Sequence, residues 1–139
     1  MEKCVFCNLN LERTRIIYKS EKSYIILSNP ALMKGHCLVI PKRHVEKLSE
    51  LGIEERKDLL EQIIQIEERL LKKFPGCDIR QNYRPFQQQS NLKINHLHFH
   101  LQPRELYDEL YKKSQIYETQ VFKFLSSEEA EALKNFILT

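Results

Sequence analysis

Three histidines alternate with three apolar residues in the segment His96-Leu97-His98-Phe99-His100-Leu101, and this alternation restricts the folds open to the chain. Successive side chains of a β-strand point to opposite faces of the sheet. A strand here would therefore place the three imidazoles on one face and the apolar residues on the other. The apolar side chains need a packed core beneath them, whereas a row of three polar rings needs ligands or solvent. The alternation predicts a β-strand over residues 92–101 in a sheet with one packed face.

Other segments predict the partners of this strand. Short apolar runs bounded by turn residues predict strands near 15–18, 23–28, 36–40 and 77–82, of which the first three form an antiparallel meander. Apolar residues recur at helical spacing over 53–74 and stop at Pro75-Gly76, which predicts one long amphipathic helix packed on the sheet. The predicted fold class is α+β, with about five antiparallel strands.

The last third of the chain is predicted to be an extension of the same domain. We expect a domain over residues 1–104 and an extension over 105–139 that packs on it. Within the extension, 105–115 is predicted to be helical and 117–125 to be a strand. Ser126 and Glu129 have the spacing of a capping box, which predicts a helix over the final residues.

Composition excludes several classes of protein. The 139 residues include 42% hydrophobic and 29% charged residues, as expected for one folded domain rather than a disordered chain. The net charge of +3 is spread along the sequence, so we expect no nucleic-acid or membrane partner. No run of apolar residues could span a bilayer, and the opening Met1-Glu2-Lys3-Cys4 does not look like a signal peptide. A cytoplasmic location is expected.

The histidine row admits two kinds of chemistry. Alternate residues of a strand lie about 6.6 Å apart, so adjacent histidines can share a metal but the outer two cannot readily do so. A site of His98, His100 and Glu105 has a spacing reminiscent of metal-binding cupins, although the glycines expected around that motif are missing. Alternatively, a neutral imidazole can attack phosphorus as a nucleophile. The residues alone leave both chemistries open.

Three segments in order resemble the histidine triad (HIT) superfamily: Cys4-Val5-Phe6-Cys7, the run from Lys34 to His44, and His96 to Arg104. The resemblance covers about residues 3–104 and implies a HIT-like fold and a homodimer. It also implies hydrolysis of nucleoside phosphoramidates or dinucleoside polyphosphates, with no catalytic metal. His98 would be the nucleophile that carries the nucleotidyl group, and His100 would contact the α-phosphate or the leaving group.

The resemblance implies further binding residues, and the sequence departs from the family around one of them. Asn29 or Ser28 would lie near the ribose, and Asn82 near the phosphate or ribose. Many family members carry Gly-Gln-Ser or Gly-Gln-Thr before the triad, but here the stretch is Ser90-Asn91-Leu92-Lys93-Ile94-Asn95. Ser90 is the expected replacement, with Gln89 and Lys93 as alternatives, and Arg84 could bind a second phosphate. A nucleotidyltransferase or phosphorylase, or a nucleotide-binding adaptor with little turnover, remains an alternative.

Cys4-x-x-Cys7 is half of a tetrahedral zinc site. By resemblance to zinc-carrying bacterial HIT proteins, His44 and His96 would complete a structural zinc site. A redox-active pair is the alternative, but such a motif normally follows a strand and opens a helix. His36 is interpreted as a hydrogen-bonded structural histidine, and Cys37 and Cys77 as small buried or half-buried residues.

Overall fold

The computed structural model describes residues 4–90 and 92–139. The chain divides into two units, the first ending at Leu106 and the second running from Tyr107 to Thr139. Among the described residues, no helix combines the length and the apolar character that crossing a membrane requires.

The first unit is built on a five-stranded antiparallel sheet. Its strands are β1 (Ile16–Lys19), β2 (Ser23–Leu27), β3 (Cys37–Pro41), β4 (Gly76–Arg80) and β5 (Phe99–Arg104). Their spatial order is β1-β2-β3-β5-β4, and every neighbouring pair is antiparallel. The strand that carries the last histidine of the row, β5, therefore lies between β3 and β4. This arrangement confirms the predicted α+β fold with about five antiparallel strands.

One face of the sheet is covered by the helix α1 (Ile53–Leu71). Leu59, Ile63 and Ile66 recur every three or four residues and are buried, so they form the stripe that contacts the sheet. They share a core cluster with residues of the strands, including Val39 and Leu101, which are fully buried. The helix ends three residues before the predicted Phe74, because the chain turns there into β4 at Gly76.

The opposite face carries a second core cluster and the histidine site. Leu38 of β3 pairs with His100 of β5, so both side chains point away from α1. Leu38 and Ile40 are buried there against Phe6 of the N-terminal segment. The N-terminal segment therefore covers only part of this face and leaves the surface beside His100 to the site.

The histidine strand is shorter than predicted and starts later. We predicted a strand over 92–101, but β5 begins at Phe99 and continues through Pro103 to Arg104. Leu97 N–H donates instead to the carbonyl of Val45, which lies outside the sheet. The segment before Phe99 is thus tied to a loop, although its side chains keep the alternation: Leu97 is buried in the α1 core, while His98 lies on the other face.

The second unit contains short helical turns and one terminal helix. A π-helical turn, Tyr111–Gln115, lies within the predicted helical stretch, and a 3-10 turn, Glu118–Gln120, follows. The strand predicted over 117–125 is wrong, because these residues bond to near neighbours and to no strand in the described chain. Helix α2 (Ser127–Leu138) begins with the predicted capping box between Ser126 and Glu129.

Candidate functional site

One ring nitrogen of His98 is hydrogen-bonded, and the other has no hydrogen-bond partner among the described residues. Its Nδ1 lies 2.6 Å from the carbonyl oxygen of His96. A carbonyl can only accept, so Nδ1 carries the proton and Nε2 carries the lone pair. Burial lowers the pKa of His98, and the bond to the His96 carbonyl partly opposes that shift. The ring is therefore held as a neutral imidazole in one tautomer, the form that can act as a nucleophile.

His100 is oriented by a chain of hydrogen bonds that runs through His36, which lies just before β3 on the same face of the sheet. The backbone N–H of Leu32 donates to Nδ1 of His36 at 3.1 Å, so the proton of His36 is on Nε2. That Nε2–H lies 2.9 Å from Nδ1 of His100 and donates to it. His100 must then carry its own proton on Nε2, which makes it a hydrogen-bond donor toward a ligand. Its ring centroid is 4.9 Å from that of His98.

Burial is the main reason that the rings of His36 and His100 stay uncharged. It lowers the pKa of His36 to about 4, with a smaller contribution from His98. It also lowers the pKa of His100 to about 4, assisted by His98, His36 and Arg80. Near neutral pH the His36–His100 pair is therefore neutral.

A cavity of about 300 Å³ opens beside the histidines. Its wall includes His98 and His100, and residues 82–85, 87 and 92–95 of the loop before the histidines supply much of the remainder. Side chains of the described loop residues hydrogen-bond to its backbone. Ser90 Oγ accepts from the N–H groups of Leu92 and Lys93, and Gln89 Oε1 accepts from Asn95 N–H. Such a cavity has the size of a small-ligand site.

The structure brings together some of the residues predicted to bind nucleotide, but not all of them. Asn82 and Arg84 line the cavity with the histidines, as does Lys93. Asn29 does not line it, and its amide donates to the carbonyl of Arg13. Ser90 does not line it either, and its hydroxyl accepts hydrogen bonds from two backbone N–H groups of the loop.

Sequence analysis did not place two residues at the site: His36, which it interpreted only as a hydrogen-bonded structural histidine, and Arg80. The contact of His36 with His100 depends on the β3–β5 register, in which Leu38 pairs with His100. Arg80 is paired with His100 across β4 and β5, and its charge acts on that ring. The shared even spacing of His36 and Leu38 was a signal for the first contact, but the register itself could not be known.

Four predicted metal ligands meet in a separate cluster. The ligand atoms of Cys4, Cys7, His44 and His96 all lie within 4.8 Å of one another. Nδ1 of His96 is 3.3 Å from the sulfur of Cys4 and 3.5 Å from that of Cys7, while Nδ1 of His44 is 3.3 Å from the sulfur of Cys7. These residues come from the N-terminal segment, the stretch after β3 and the start of the histidine row.

The cluster fits a tetrahedral metal ion. Zinc–sulfur and zinc–nitrogen bonds of about 2.3 and 2.05 Å separate the two kinds of ligand atom by about 3.5 Å in a tetrahedron, close to the observed spacing. His96 Nε2–H donates to the carbonyl of Pro41 at 2.8 Å, which leaves Nδ1 to face the sulfurs. An outer hydrogen bond of this kind is common for metal-bound histidines. The donor set can hold a metal ion.

Comparisons with known proteins agree with this architecture. The HIT domain family model matches residues 11–106. An uncharacterized HIT-like protein of Methanocaldococcus jannaschii is 33% identical over 105 residues, covering 73% of this chain and 78% of that protein. Adenosine 5′-monophosphoramidase of Schizosaccharomyces pombe is 30% identical over 106 residues, covering 73% and 74%.

A solved structure of a HIT family member from Bacillus subtilis superposes with a TM-score of 0.76 at 25% identity, covering 99% of this chain and 96% of that one. The family model spans most of the chain, and the histidine row lies inside the matched range. On these grounds, the chain belongs to the HIT family.

Proposed function

We propose that this protein is a nucleotide hydrolase that acts on nucleoside phosphoramidates or dinucleoside polyphosphates through a nucleotidyl intermediate on His98. The observation that carries the proposal is the bond from His98 Nδ1–H to the His96 carbonyl, because it leaves the Nε2 lone pair for attack. The cavity beside this ring can receive a ligand. Similarity to two yeast proteins named adenosine 5′-monophosphoramidase supports the choice of a nucleotide substrate.

The proposed reaction has two displacements at the α-phosphorus. In the first, Nε2 of His98 forms a bond to phosphorus, and the bond to the leaving group breaks with its electron pair on the leaving group. The proton stays on Nδ1 and is still donated to the His96 carbonyl. That hydrogen bond stabilises the positive charge that develops on the ring. The Nε2–H of His100 donates to a phosphate oxygen or to the leaving-group oxygen or nitrogen, and an amine leaving group takes up a proton from solvent as it departs. In the second displacement, water attacks phosphorus, loses a proton to solvent and releases the nucleoside monophosphate and His98.

A quenched single-turnover experiment tests this proposal. Wild-type protein is mixed with adenosine 5′-phosphoramidate or with diadenosine triphosphate, and the intact protein mass is followed for an adenylyl adduct. His98→Asn is the matched variant, because its amide can still donate to the His96 carbonyl but offers no nucleophilic nitrogen. We expect an adduct followed by adenosine monophosphate in the wild type, and neither in the variant. Turnover of His98→Asn near the wild-type rate would refute the nucleophile.

We also propose that the Cys4, Cys7, His44 and His96 cluster binds a structural zinc ion. Zinc held by four protein ligands has no open position, so its contribution would be to tie the N-terminal segment to the sheet. Elemental analysis of protein purified without added metal should find about one zinc per chain. Cys7→Ser should lower both the zinc content and the midpoint of thermal unfolding. If the metal-free wild type were as stable as the zinc-bound wild type, the proposed site would be contradicted.

A further inference from the structure

The loop beside the histidines carries positive charge toward the cavity. Lys93 and Arg84 both line it, and within residues 4–90 and 92–139 neither forms an ion pair with a carboxylate. One acidic residue, Glu46, also lines the cavity and is exposed. Two cations therefore face one carboxylate, and the balance favours an anionic ligand.

Two hydrogen bonds fix the position of the Lys93 ammonium group. Its ammonium donates to the carbonyl of Gln87 at 2.8 Å and to Oδ1 of Asn95 at 2.9 Å. An ammonium has three N–H donors, and within the described part of the chain two of them are used by these bonds. Both acceptors are neutral, and they leave the positive charge uncompensated. A half-buried cation with a spare donor, fixed beside a cavity, is suited to bind a phosphate oxygen.

Ser90 and Gln89 stabilise the loop that carries this cation. A neutral donor can serve either an amine or a phosphate leaving group. A cation attracts a leaving group that carries negative charge and offers nothing to an amine, which is neutral or positive.

We propose that Lys93, with Arg84, forms a subsite for the phosphate next to the one attacked by His98. The inference rests on the proposed function and narrows it, because it assigns the substrate class to nucleotides whose leaving group is a phosphate. The phosphoanhydride bond breaks with its electron pair on that phosphate, and the two cations stabilise the negative charge that it gains. Amine leaving groups receive no such assistance.

Binding measurements test the subsite without requiring turnover. Dissociation constants for ADP and AMP are measured by calorimetry for the wild type, Lys93→Gln and Lys93→Arg. ADP should bind the wild type at least about tenfold more tightly than AMP, as expected for a charge-assisted contact. That preference should fall about tenfold in Lys93→Gln and return in Lys93→Arg. Lys73→Gln, which removes a lysine from an exposed position outside the cavity, is the control and should leave the preference unchanged.

Kinetics then relate the subsite to the reaction. The ratio of kcat/KM for diadenosine triphosphate to that for adenosine 5′-phosphoramidate should exceed one in the wild type and fall in Lys93→Gln. Arg84→Gln should also lower this ratio. The substitution should not destabilise the fold, because the Arg84 side chain makes no hydrogen bond within the described residues. Melting curves of all variants separate local loss of binding from unfolding.

Two results would overturn the subsite. One is an ADP-to-AMP preference that is equal in the wild type and Lys93→Gln. The other is a combined result: Glu46→Gln loses phosphoramidate turnover, and Lys93→Gln leaves the affinity for ADP unchanged. Glu46 would then bind a cationic amine. Failure of the proposed function gives a different signature, because the adenylyl adduct on His98 would be missing whatever the nucleotide affinities.

Discussion

Acid should destabilise this protein through the His36–His100 pair, and His36→Gln should remove about half of that effect. Both histidines have a pKa of about 4 in the folded chain against 6.5 when exposed. Below about pH 6.5 the unfolded chain binds protons that the folded chain does not, so stability falls as the pH drops toward 4. Between pH 7 and pH 5, each histidine costs about 2 kcal/mol of unfolding free energy. His36 is only 4% exposed, so solvent screens little of its share.

Urea unfolding at pH 7 and pH 5 measures this effect in the wild type and in His36→Gln. A glutamine amide can donate to His100 as His36 does, but it does not titrate. We expect the wild type to lose about 2 kcal/mol more than the variant between the two pH values. The other histidines contribute nearly equally to both proteins, because burial, and not His36, is the main cause of the lowered pKa of His100. Between pH 7 and pH 8 the two should show no such difference. If both proteins lose the same free energy at pH 5, His36 titrates as an exposed histidine and the proposed relay to His100 is wrong.

Three further predictions concern packing and assembly. Gly35→Ala should lower the unfolding free energy by about 1–3 kcal/mol in denaturant titrations, because Gly35 has a φ of +86° and a Cβ there would lie 3.1 Å from Phe74 and Pro103; unchanged stability would contradict the strained turn. Leu101→Ala should lower the unfolding free energy by about 2–5 kcal/mol, since this side chain is fully buried between the sheet and α1; a loss below about 1 kcal/mol would mean that the core repacks to fill the space left by the leucine side chain. We expect a homodimer, and the exposed apolar residues Leu60, Ile64 and Leu71 of α1 form a stripe that we expect at its interface; light scattering should find a dimer that Ile64→Glu converts to monomers, and a monomeric wild type would contradict it.

Local patterns predicted most of the first unit. The helical spacing over 53–74 and the stop at Pro75-Gly76 located α1 to within a few residues. Alternation within the histidine row correctly separated Leu97 from His98. Both patterns report on neighbouring side chains, and burial of one face follows directly from them.

The strand predicted over 117–125 failed because strand formation needs a partner. Its aromatic and β-branched residues suit a strand, but their hydrogen bonds need a neighbouring strand, which the sequence does not reveal. The bonds that form are local, from Gln120 N–H to Tyr117 and from Val121 N–H to Glu118. The shortened start of β5 has a similar cause, since Leu97 bonds to the distant Val45.

The sequence by itself determined the kinds of residue available for chemistry: three alternating histidines, a pair of cysteines and a basic loop. The tertiary structure decided how those residues are used. His98 acquires its free nitrogen from a local bond, but the proton position on His100 depends on the register of β3 against β5 and on His36, 64 positions earlier. Cys4 meets His96 across 92 positions. Spacing along a chain limits which atoms can be near neighbours, whereas strand pairing and core packing determine which distant atoms actually meet.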